Sequence, residues 1–185
     1  VCIKGQWYVF YHRNTNKTAY SRQACAEPIF FLLDGSIPQV EITSTGLDAG
    51  PLKENKTYPA AICCNLTNGK MPHQGNGVIK KHVPFLSCED GTCIVIAVKN
   101  TQICYKFFQF TGGKASVLLR LRASSGGKLD VFADQTAAGS RTLSPSTTWQ
   151  ELTIPCDFPL GRHALSFAWH GSGELHIQDF YVRIH

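Results

Sequence analysis

The chain has 185 residues, of which 43% are apolar and 17% charged. This composition is typical of a folded protein with one core, or of one domain with a small appendage, and excludes a disordered chain. The 18 Lys and Arg residues only modestly outnumber the 13 Asp and Glu residues. They form no basic run that would follow a phosphate backbone, so we expect no nucleic acid partner.

No apolar run approaches the roughly 18 residues that a membrane span needs, so we expect no membrane partner. No signal-peptide pattern opens the chain, and its first residue is Val1 rather than Met, which suggests a processed or trimmed chain. The eight cysteines are an even number that favours an oxidising compartment. Three sequons, at Asn16, Asn55 and Asn65, agree with exposure in a secreted protein. We therefore expect an extracellular location.

Cys88 and Cys93 flank a Glu-Asp-Gly-Thr turn and are the predicted disulfide pair, since a hairpin there brings their Cα atoms within bridging range. A zinc centre is disfavoured because C-x2-C spacings are missing.

Period-two alternation between turn-forming residues predicts strands in the first part of the chain. The predicted strands cover residues 6–12, 18–25, 28–33 and 37–43, with turn signals at Asn14 to Lys17 and at Asp34-Gly-Ser36. The pattern is lost between Gly46 and Lys56, where we place a domain boundary.

The second part of the chain repeats the all-β pattern. Ala115 to Arg122 alternates apolar with polar residues after a Gly-Gly pair, and Leu129 to Asp134 follows another such pair. Trp149 to Ile154, Arg162 to Trp169 and Leu175 to Ile184 complete the set. Short strands between glycine turns predict a β-sandwich without a helix of normal length.

Particular motifs carry a resemblance to known families. Trp7-Tyr-Val-Phe-Tyr-His-Arg13, Ser21-Arg-Gln-Ala-Cys-Ala-Glu27 and the stretch from Asp34 to Ser44 resemble the last blade region of a family 43 glycoside hydrolase. That family has a five-bladed β-propeller and acts on arabinose and xylose linkages of plant walls. Tyr58-Pro-Ala-Ala61, Asn65-Leu-Thr-Asn-Gly-Lys-Met-Pro-His73, Cys104 to Phe110 and Gly161 to Leu165 look like a family 6 carbohydrate-binding module.

The resemblance implies an all-β chain in which a jelly-roll β-sandwich follows a partial β-propeller segment. Residues 1–55 would be the propeller segment and residues 59–185 the sandwich. The implied function is the C-terminal portion of a secreted glycoside hydrolase that acts on arabinose- and xylose-containing plant polysaccharides or oligosaccharides. Its implied partner is a missing N-terminal catalytic propeller region. Two alternatives stay open, namely a stand-alone carbohydrate-binding module and a structural module that braces a catalytic propeller without binding sugar.

Inverting glycosidases need two carboxyl groups, one to protonate the leaving oxygen and one to activate water. The resemblance places these groups in earlier blades, so we predict no catalytic residue in this chain. The carboxylates of the first part are expected to be solvated or to stabilise turns; they are Glu27, Asp34, Glu41 and Asp48.

His12 and Arg22 are the predicted active-site support residues. The resemblance places His12 near the propeller axis, where it would bind a central cation or its water, and Arg22 toward the sugar-binding floor. A guanidinium suits that position because it donates paired hydrogen bonds to carboxylates or hydroxyls. The alternative is a neutral core histidine beside a surface arginine.

Calcium is the cofactor that the resemblance suggests for the sandwich. Asp179 matches the late ligand position, but the early segment Pro59-Ala-Ala-Ile62 offers no Glu, so the ligand set is incomplete. A sugar platform needs exposed aromatic rings. Trp149 matches a structural strand residue, Trp169 is expected in the core, and the loop from Ser144 to Thr147 carries no ring. The sequence therefore predicts a poor sugar site.

Overall fold

The computed structural model describes residues 1–48, 50–70 and 78–185. These residues form fifteen β-strands and one short 3-10 turn, Ala60–Ile62, so the all-β prediction is confirmed. Within them no helix has the length and apolar character to cross a bilayer. Met71 to His73, which carry part of the family resemblance, lie outside the described residues.

The first three strands form an antiparallel sheet that we call the ribbon. It contains β1 (Cys2–Ile3), β2 (Gln6–Asn14) and β3 (Arg22–Ile29) in that order. The strand predicted over 37–43 is wrong, and the one predicted over 28–33 is wrong beyond residue 29, where β3 ends, because residues 30–43 form no strand. A strand needs a partner for its backbone groups. Within the described part of the chain, no strand pairs with the outer edge of β3.

The remaining strands form a two-sheet sandwich, which confirms the predicted jelly roll. What we call the front sheet has the order β13-β10-β15-β8-β7, with β5 paired to β15, and the back sheet has the order β12-β11-β14-β9-β4, with β6 paired to β9. The strands are β4 (Leu52–Lys53), β5 (Thr57–Pro59), β6 (Asn65–Thr67), β7 (Phe85–Glu89), β8 (Thr92–Ala97), β9 (Thr101–Phe110), β10 (Gly113–Ala123), β11 (Gly127–Ala133), β12 (Thr136–Leu143), β13 (Ser146–Phe158), β14 (Gly161–Gly171) and β15 (Leu175–Ile184).

The core lies between the two sheets and is built from alternate residues of each strand. Apolar side chains of β10 and β11 are fully buried there, as are aromatic rings from β9 and β15. The rings of Tyr105 and Phe180 lie 4.5 Å apart between centroids. Trp169 is fully buried, as predicted, and its indole N–H donates to the Gly173 carbonyl at 3.0 Å.

Trp149, unlike Trp169, does not belong to this core. Gln150 pairs with the inward-facing Leu121, so the next side chain, Trp149, points to the outer face of the front sheet. There its ring packs against a small second cluster formed by three buried apolar residues of β7 and β8, which are Phe85, Ile94 and Ile96.

The sandwich begins earlier in the chain than residue 59. Leu52 pairs in parallel with Phe108 on β9 and is only 7% exposed. The Lys53 N–H donates to the Tyr58 hydroxyl at 2.8 Å, and that hydroxyl donates back to the Lys53 carbonyl at 3.1 Å. Residues 52–58 therefore contribute to the sandwich, and four of them, 52–55, lie within the segment that the resemblance assigns to the propeller.

Hydrogen bonds hold the ribbon against the sandwich. The Arg13 guanidinium donates to the carbonyls of Cys63, at 2.7 Å, and Cys64. The same guanidinium donates to the Gln23 side-chain oxygen at 3.1 Å, while the Gln23 amide group donates to the Ala61 carbonyl at 3.2 Å. Both residues lie on one face of the ribbon, so that face is fixed to the sandwich.

The early start of the sandwich predicts where a truncation is tolerated. We expect residues 50–185 to unfold cooperatively, because they retain Leu52 and the Lys53–Tyr58 hydrogen bonds. Residues 59–185 should be less stable by about 2–5 kcal/mol, the usual effect of removing a large buried side chain. Urea unfolding of the two fragments measures the difference. Equal midpoints would show that residues 50–58 are dispensable for the sandwich.

Candidate functional site

His12 and Arg22 lie on the same face of the ribbon. Register pairs His12 with Ala24 and Asn14 with Arg22, so the two predicted site residues are diagonal neighbours across β2 and β3. Both side chains are exposed. Within the described residues, neither side chain makes a hydrogen bond or an ion pair. The structure thus places the two together on an open surface, without a site around them.

The anchored arginine of the ribbon is Arg13, which the sequence analysis did not single out. Arg13 and Arg22 lie on opposite faces, because Arg13 pairs with Gln23 and Arg22 with Asn14. The Arg13 face is the one bound to the sandwich, and the Arg22 face is open. Tyr11 and Arg13 are two residues apart on β2, so their polar side chains share one face of the strand. This spacing was the sequence signal that Arg13 belongs to the bound face.

A cavity of about 330 Å³ lies between the ribbon and the segment from Thr43 to Leu47. Glu27 lines it and is only 2% exposed. Its carboxylate accepts hydrogen bonds from the Thr43 hydroxyl at 2.6 Å, the Thr43 N–H at 2.8 Å and the Tyr11 hydroxyl at 3.1 Å. Burial, together with the nearby Glu27 charge, raises the pKa of Tyr11 well above its usual range.

The expectation that Glu27 is a solvated or turn-stabilising carboxylate is therefore wrong. It ties β3 to the segment at Thr43, because a buried carboxylate is tolerated when donors surround it. The other three carboxylates are exposed. Asp34 accepts from the Ser36 hydroxyl and N–H within a turn, which also lowers the pKa of Asp34, and Glu41 pairs with Lys106 at 2.9 Å.

The outer face of the front sheet carries a second group of polar and aromatic side chains. Arg122 lies with its guanidinium carbon 4.7 Å from the centre of the Trp149 ring. One of its terminal nitrogens lies 2.8 Å from both carboxylate oxygens of Glu89 and 3.0 Å from the His176 ring nitrogen Nδ1. The indole and the guanidinium thus stack in a fixed arrangement.

Further along the same face lies a cleft of about 410 Å³ lined by Arg120, Glu151, Asp179, Tyr181 and Arg183, among others. Arg120 pairs with Glu151 on one side and with Asp179 on the other, so the three charged groups form a row across the sheet. Tyr181 is half-buried and pairs with Leu118. Along β10 it is offset by four residues, about 13 Å, from the Trp149 position, and β13 and β15 flank β10 on opposite sides, about 10 Å apart.

Sequence reasoning missed this face because it sought aromatic residues in loops. Trp149 and Tyr181 share the outward face of strands, and only the register of β13 and β15 with β10 brings them to one surface. The sequence signal was the spacing along each strand. Each of these aromatic residues lies an odd number of positions from its nearest inward-facing apolar residues, so its ring points outward.

The residues around Asp179 do not fit calcium. Asp179 does pair with Pro59, so the late position faces the early segment, but that segment supplies no carboxylate. Burial raises the pKa of Asp179, with Glu151 acting in the same direction and the Arg120 cation opposing it. Calcium takes several oxygen ligands. Within residues 1–48, 50–70 and 78–185, no three His, Cys, Asp or Glu side chains form a metal cluster, and this includes the surroundings of His12.

Comparison with known proteins identifies relatives over nearly the whole chain. No protein-family profile matches. A xylosidase/arabinosidase from Thermoclostridium stercorarium is 35% identical over 190 residues, which cover 96% of this chain and 40% of the relative. The chain is a homologue of that xylosidase/arabinosidase. It spans about 40% of the length of this curated relative.

Solved structures confirm both parts of the resemblance at the level of fold. A family 43 arabinoxylan arabinofuranohydrolase from Bacillus subtilis, in complex with cellotetraose, matches with a TM-score of 0.63 at 16% identity, over 100% of this chain and 40% of that one. A family 6 carbohydrate-binding module from Clostridium cellulolyticum, in complex with xylose, matches with a TM-score of 0.55 at 16% identity, over 71% of this chain and 99% of that one.

The buried carboxylate predicts a stability effect. Glu27→Ala leaves the Thr43 and Tyr11 donors unpaired, so we expect the free energy of unfolding to fall by about 1–3 kcal/mol. Glu27→Gln keeps one acceptor oxygen and should lose less. Urea unfolding measures both.

Glu41→Ala is the matched control, because Glu41 also carries a hydrogen-bonded carboxylate but is exposed. It should cost no more than about 1 kcal/mol. Equal losses for Glu27→Ala and Glu41→Ala would contradict the structural role of Glu27.

Proposed function

We propose that this chain is the non-catalytic part of a secreted glycoside hydrolase that acts on arabinose- and xylose-containing plant cell-wall polysaccharides. The observation that carries the proposal is the 35% identity to a xylosidase/arabinosidase along 96% of the chain. In this proposal the ribbon completes a catalytic propeller that the rest of the polypeptide supplies, and the sandwich is an accessory module on it.

The surface of the ribbon supports a covering partner. Phe10 is 52% exposed on the same face as His12 and Arg22. The four consecutive apolar residues after β3, Phe30 to Leu33, are all exposed. Contiguous exposed apolar surface marks an interaction site. Neighbouring propeller strands would bury these residues and give the backbone of residues 30–42 its hydrogen-bond partners.

Within that assembly, His12 and Arg22 support an active site whose carboxyl groups come from the rest of the polypeptide. Arg22 would donate hydrogen bonds to a carboxylate or to sugar hydroxyls and so fix their positions. The division into a propeller segment and a sandwich is part of the same proposal. We place the boundary before Leu52, because Leu52 packs in the sandwich core.

We further propose that the sandwich binds a sugar chain along the outer face of the front sheet. A pyranose stacks its C–H face on an aromatic ring, while charged and amide groups at the rim bind its hydroxyls. Tyr181 supplies a ring, and Arg120, Glu151 and Asp179 supply the row of hydrogen-bonding groups beside it. The Trp149 and Tyr181 positions are offset by about 13 Å along the strands and about 10 Å across them, which suits a short oligosaccharide rather than a monosaccharide.

The second candidate is a structural module that braces the propeller without binding sugar. The Trp149 ring favours it, since the Arg122 guanidinium already stacks on that ring. The docking of Arg13 onto Cys63 and Cys64 is the contact such a brace would use.

The first functional prediction concerns catalysis. The chain alone should not hydrolyse aryl arabinofuranosides or xylosides, because the proposed carboxyl pair lies elsewhere. In a longer polypeptide that restores activity, Arg22→Ala should lower kcat/KM by at least about tenfold, or roughly 1.4 kcal/mol of transition-state stabilisation. Lys4→Ala, on the loop between β1 and β2, is the control and should leave kcat/KM unchanged. Wild-type kinetics in a folded Arg22→Ala enzyme would remove Arg22 from the site.

The second functional prediction concerns sugar binding. Tyr181→Ala should weaken binding of xylo-oligosaccharides or arabinoxylo-oligosaccharides by about tenfold or more in calorimetric titrations, because a stacking ring is lost. Tyr20→Ala, an exposed tyrosine of the ribbon, is the matched control. No detectable binding by the wild-type chain would favour the bracing module.

A further inference from the structure

Cys64 and Cys104 lie close together at the contact between the ribbon, the sandwich and the segment of the chain that precedes β4. Asn65 pairs directly with Cys104, so Cys64 is the chain neighbour of the residue opposite Cys104. The Cys64 N–H donates to the Cys104 carbonyl at 2.9 Å, and the Cys64 thiol lies 3.3 Å from the same oxygen. The two side chains lie close enough for each thiol to shift the pKa of the other. Directly opposite residues of antiparallel strands have Cα atoms about 4.5–5.5 Å apart, within disulfide range, and Cys64 adjoins the residue opposite Cys104 with its thiol beside the Cys104 backbone.

The two thiols differ in reactivity and access. The neighbouring Cys64 thiol lowers the pKa of Cys104 against the opposing effect of burial, and the Ser166 hydroxyl and the Lys106 cation lower it further. The neighbouring Cys104 raises the pKa of Cys64, as does the burial of Cys64. Cys104 is half-buried, whereas Cys64 is only 8% exposed. Cys104 is thus suited to react first and Cys64 to react second.

We propose that Cys64 and Cys104 form a redox-sensitive pair, and that their oxidation to a disulfide fastens the ribbon-binding segment of the sandwich to β9. The oxidant is a low-molecular-weight disulfide. The Cys104 thiolate attacks one of its sulfurs, forms a mixed disulfide and releases one thiolate. Cys64 then loses its proton and attacks the Cys104 sulfur, which closes the Cys64–Cys104 bond and releases the second thiolate. Two protein thiols are oxidised and one small disulfide is reduced to two thiols.

The location gives this bond a consequence for the ribbon. The carbonyl of Cys64 is one of the two that accept the Arg13 guanidinium. On the other side, Ser44 N–H donates to the Lys106 carbonyl at 2.6 Å, two residues from Cys104. A Cys64–Cys104 bond would therefore hold the Arg13 acceptors in place while the ribbon binds. The Cys88–Cys93 pair is already bonded and joins only the adjacent strands β7 and β8.

Oxidation of the full chain with oxidised glutathione tests the proposal. We expect loss of two free thiols beyond the Cys88–Cys93 pair, and a cross-linked peptide that contains Cys64 and Cys104 in the digest. The melting temperature should rise by about 5 °C, because the bond closes a long loop of the unfolded chain. Hydrogen exchange of the ribbon amides near Arg13 should slow on oxidation and recover on reduction.

Single variants separate the two steps. Cys64→Ser should stop at a mixed disulfide of Cys104 with glutathione, and Cys104→Ser should gain neither glutathione at position 64 nor the rise in melting temperature. Cys156→Ser is the matched control, since that buried thiol donates to the Ile154 carbonyl, and it should behave like the wild type. The proposal is overturned if the folded wild-type chain keeps both thiols under oxidation, or if Cys104 pairs with Cys63 instead.

Discussion

The Arg13 guanidinium is the contact on which the placement of the ribbon depends. A ribbon of three strands has two faces and too few residues to bury either one, so it needs a second surface. Arg13 supplies the connection by donating to two consecutive carbonyls, those of Cys63 and Cys64, at the point where the chain enters β6. Carbonyl groups next to a short turn otherwise lack hydrogen-bond partners. The Arg13 side chain therefore supplies donors to two carbonyls of the sandwich and at the same time orients the ribbon. The opposite ribbon face, with His12 and Arg22, consequently points away from the sandwich.

The sequence predicts the sandwich better than the ribbon, for a physical reason. In the sandwich, period-two alternation coincides with a real two-sheet core, and glycine turns separate the strands. The predicted Leu175 to Ile184 segment therefore matches β15 in full. In the segment from Phe30 to Leu33, β-rich composition also predicts a strand, but composition does not supply the neighbouring strand that its backbone groups need. The apolar run stays exposed.

The site residues were harder to predict than the strands, because their surroundings are set by tertiary contacts. Whether Glu27 is solvated depends on Thr43, sixteen residues later, which a pattern within one strand does not reveal. Whether Trp149 faces the core depends on one step of register between β13 and β10. Motif resemblance selects His12 and Arg22, and the register of β2 and β3 puts them on one face, but the groups that would make that face a site are not among the described residues.

The two proposed roles of the sandwich place different demands on the same surface. A sugar platform needs an aromatic face that is free of other partners, whereas the Trp149 ring carries a stacked guanidinium that Glu89 and His176 hold in place. To use that face, a sugar would have to displace a cation held by a carboxylate, which loses charge-assisted hydrogen bonds as well as the stacking. Tyr181 also has a guanidinium over its ring, but that of Arg183 is farther away, with its carbon 5.8 Å from the ring centre, and among the described residues it has no carboxylate partner. We therefore expect a sugar chain to contact the front sheet mainly at Tyr181 and at the neighbouring row of Arg120, Glu151 and Asp179. Trp149 would lie at the far end of the bound sugar chain.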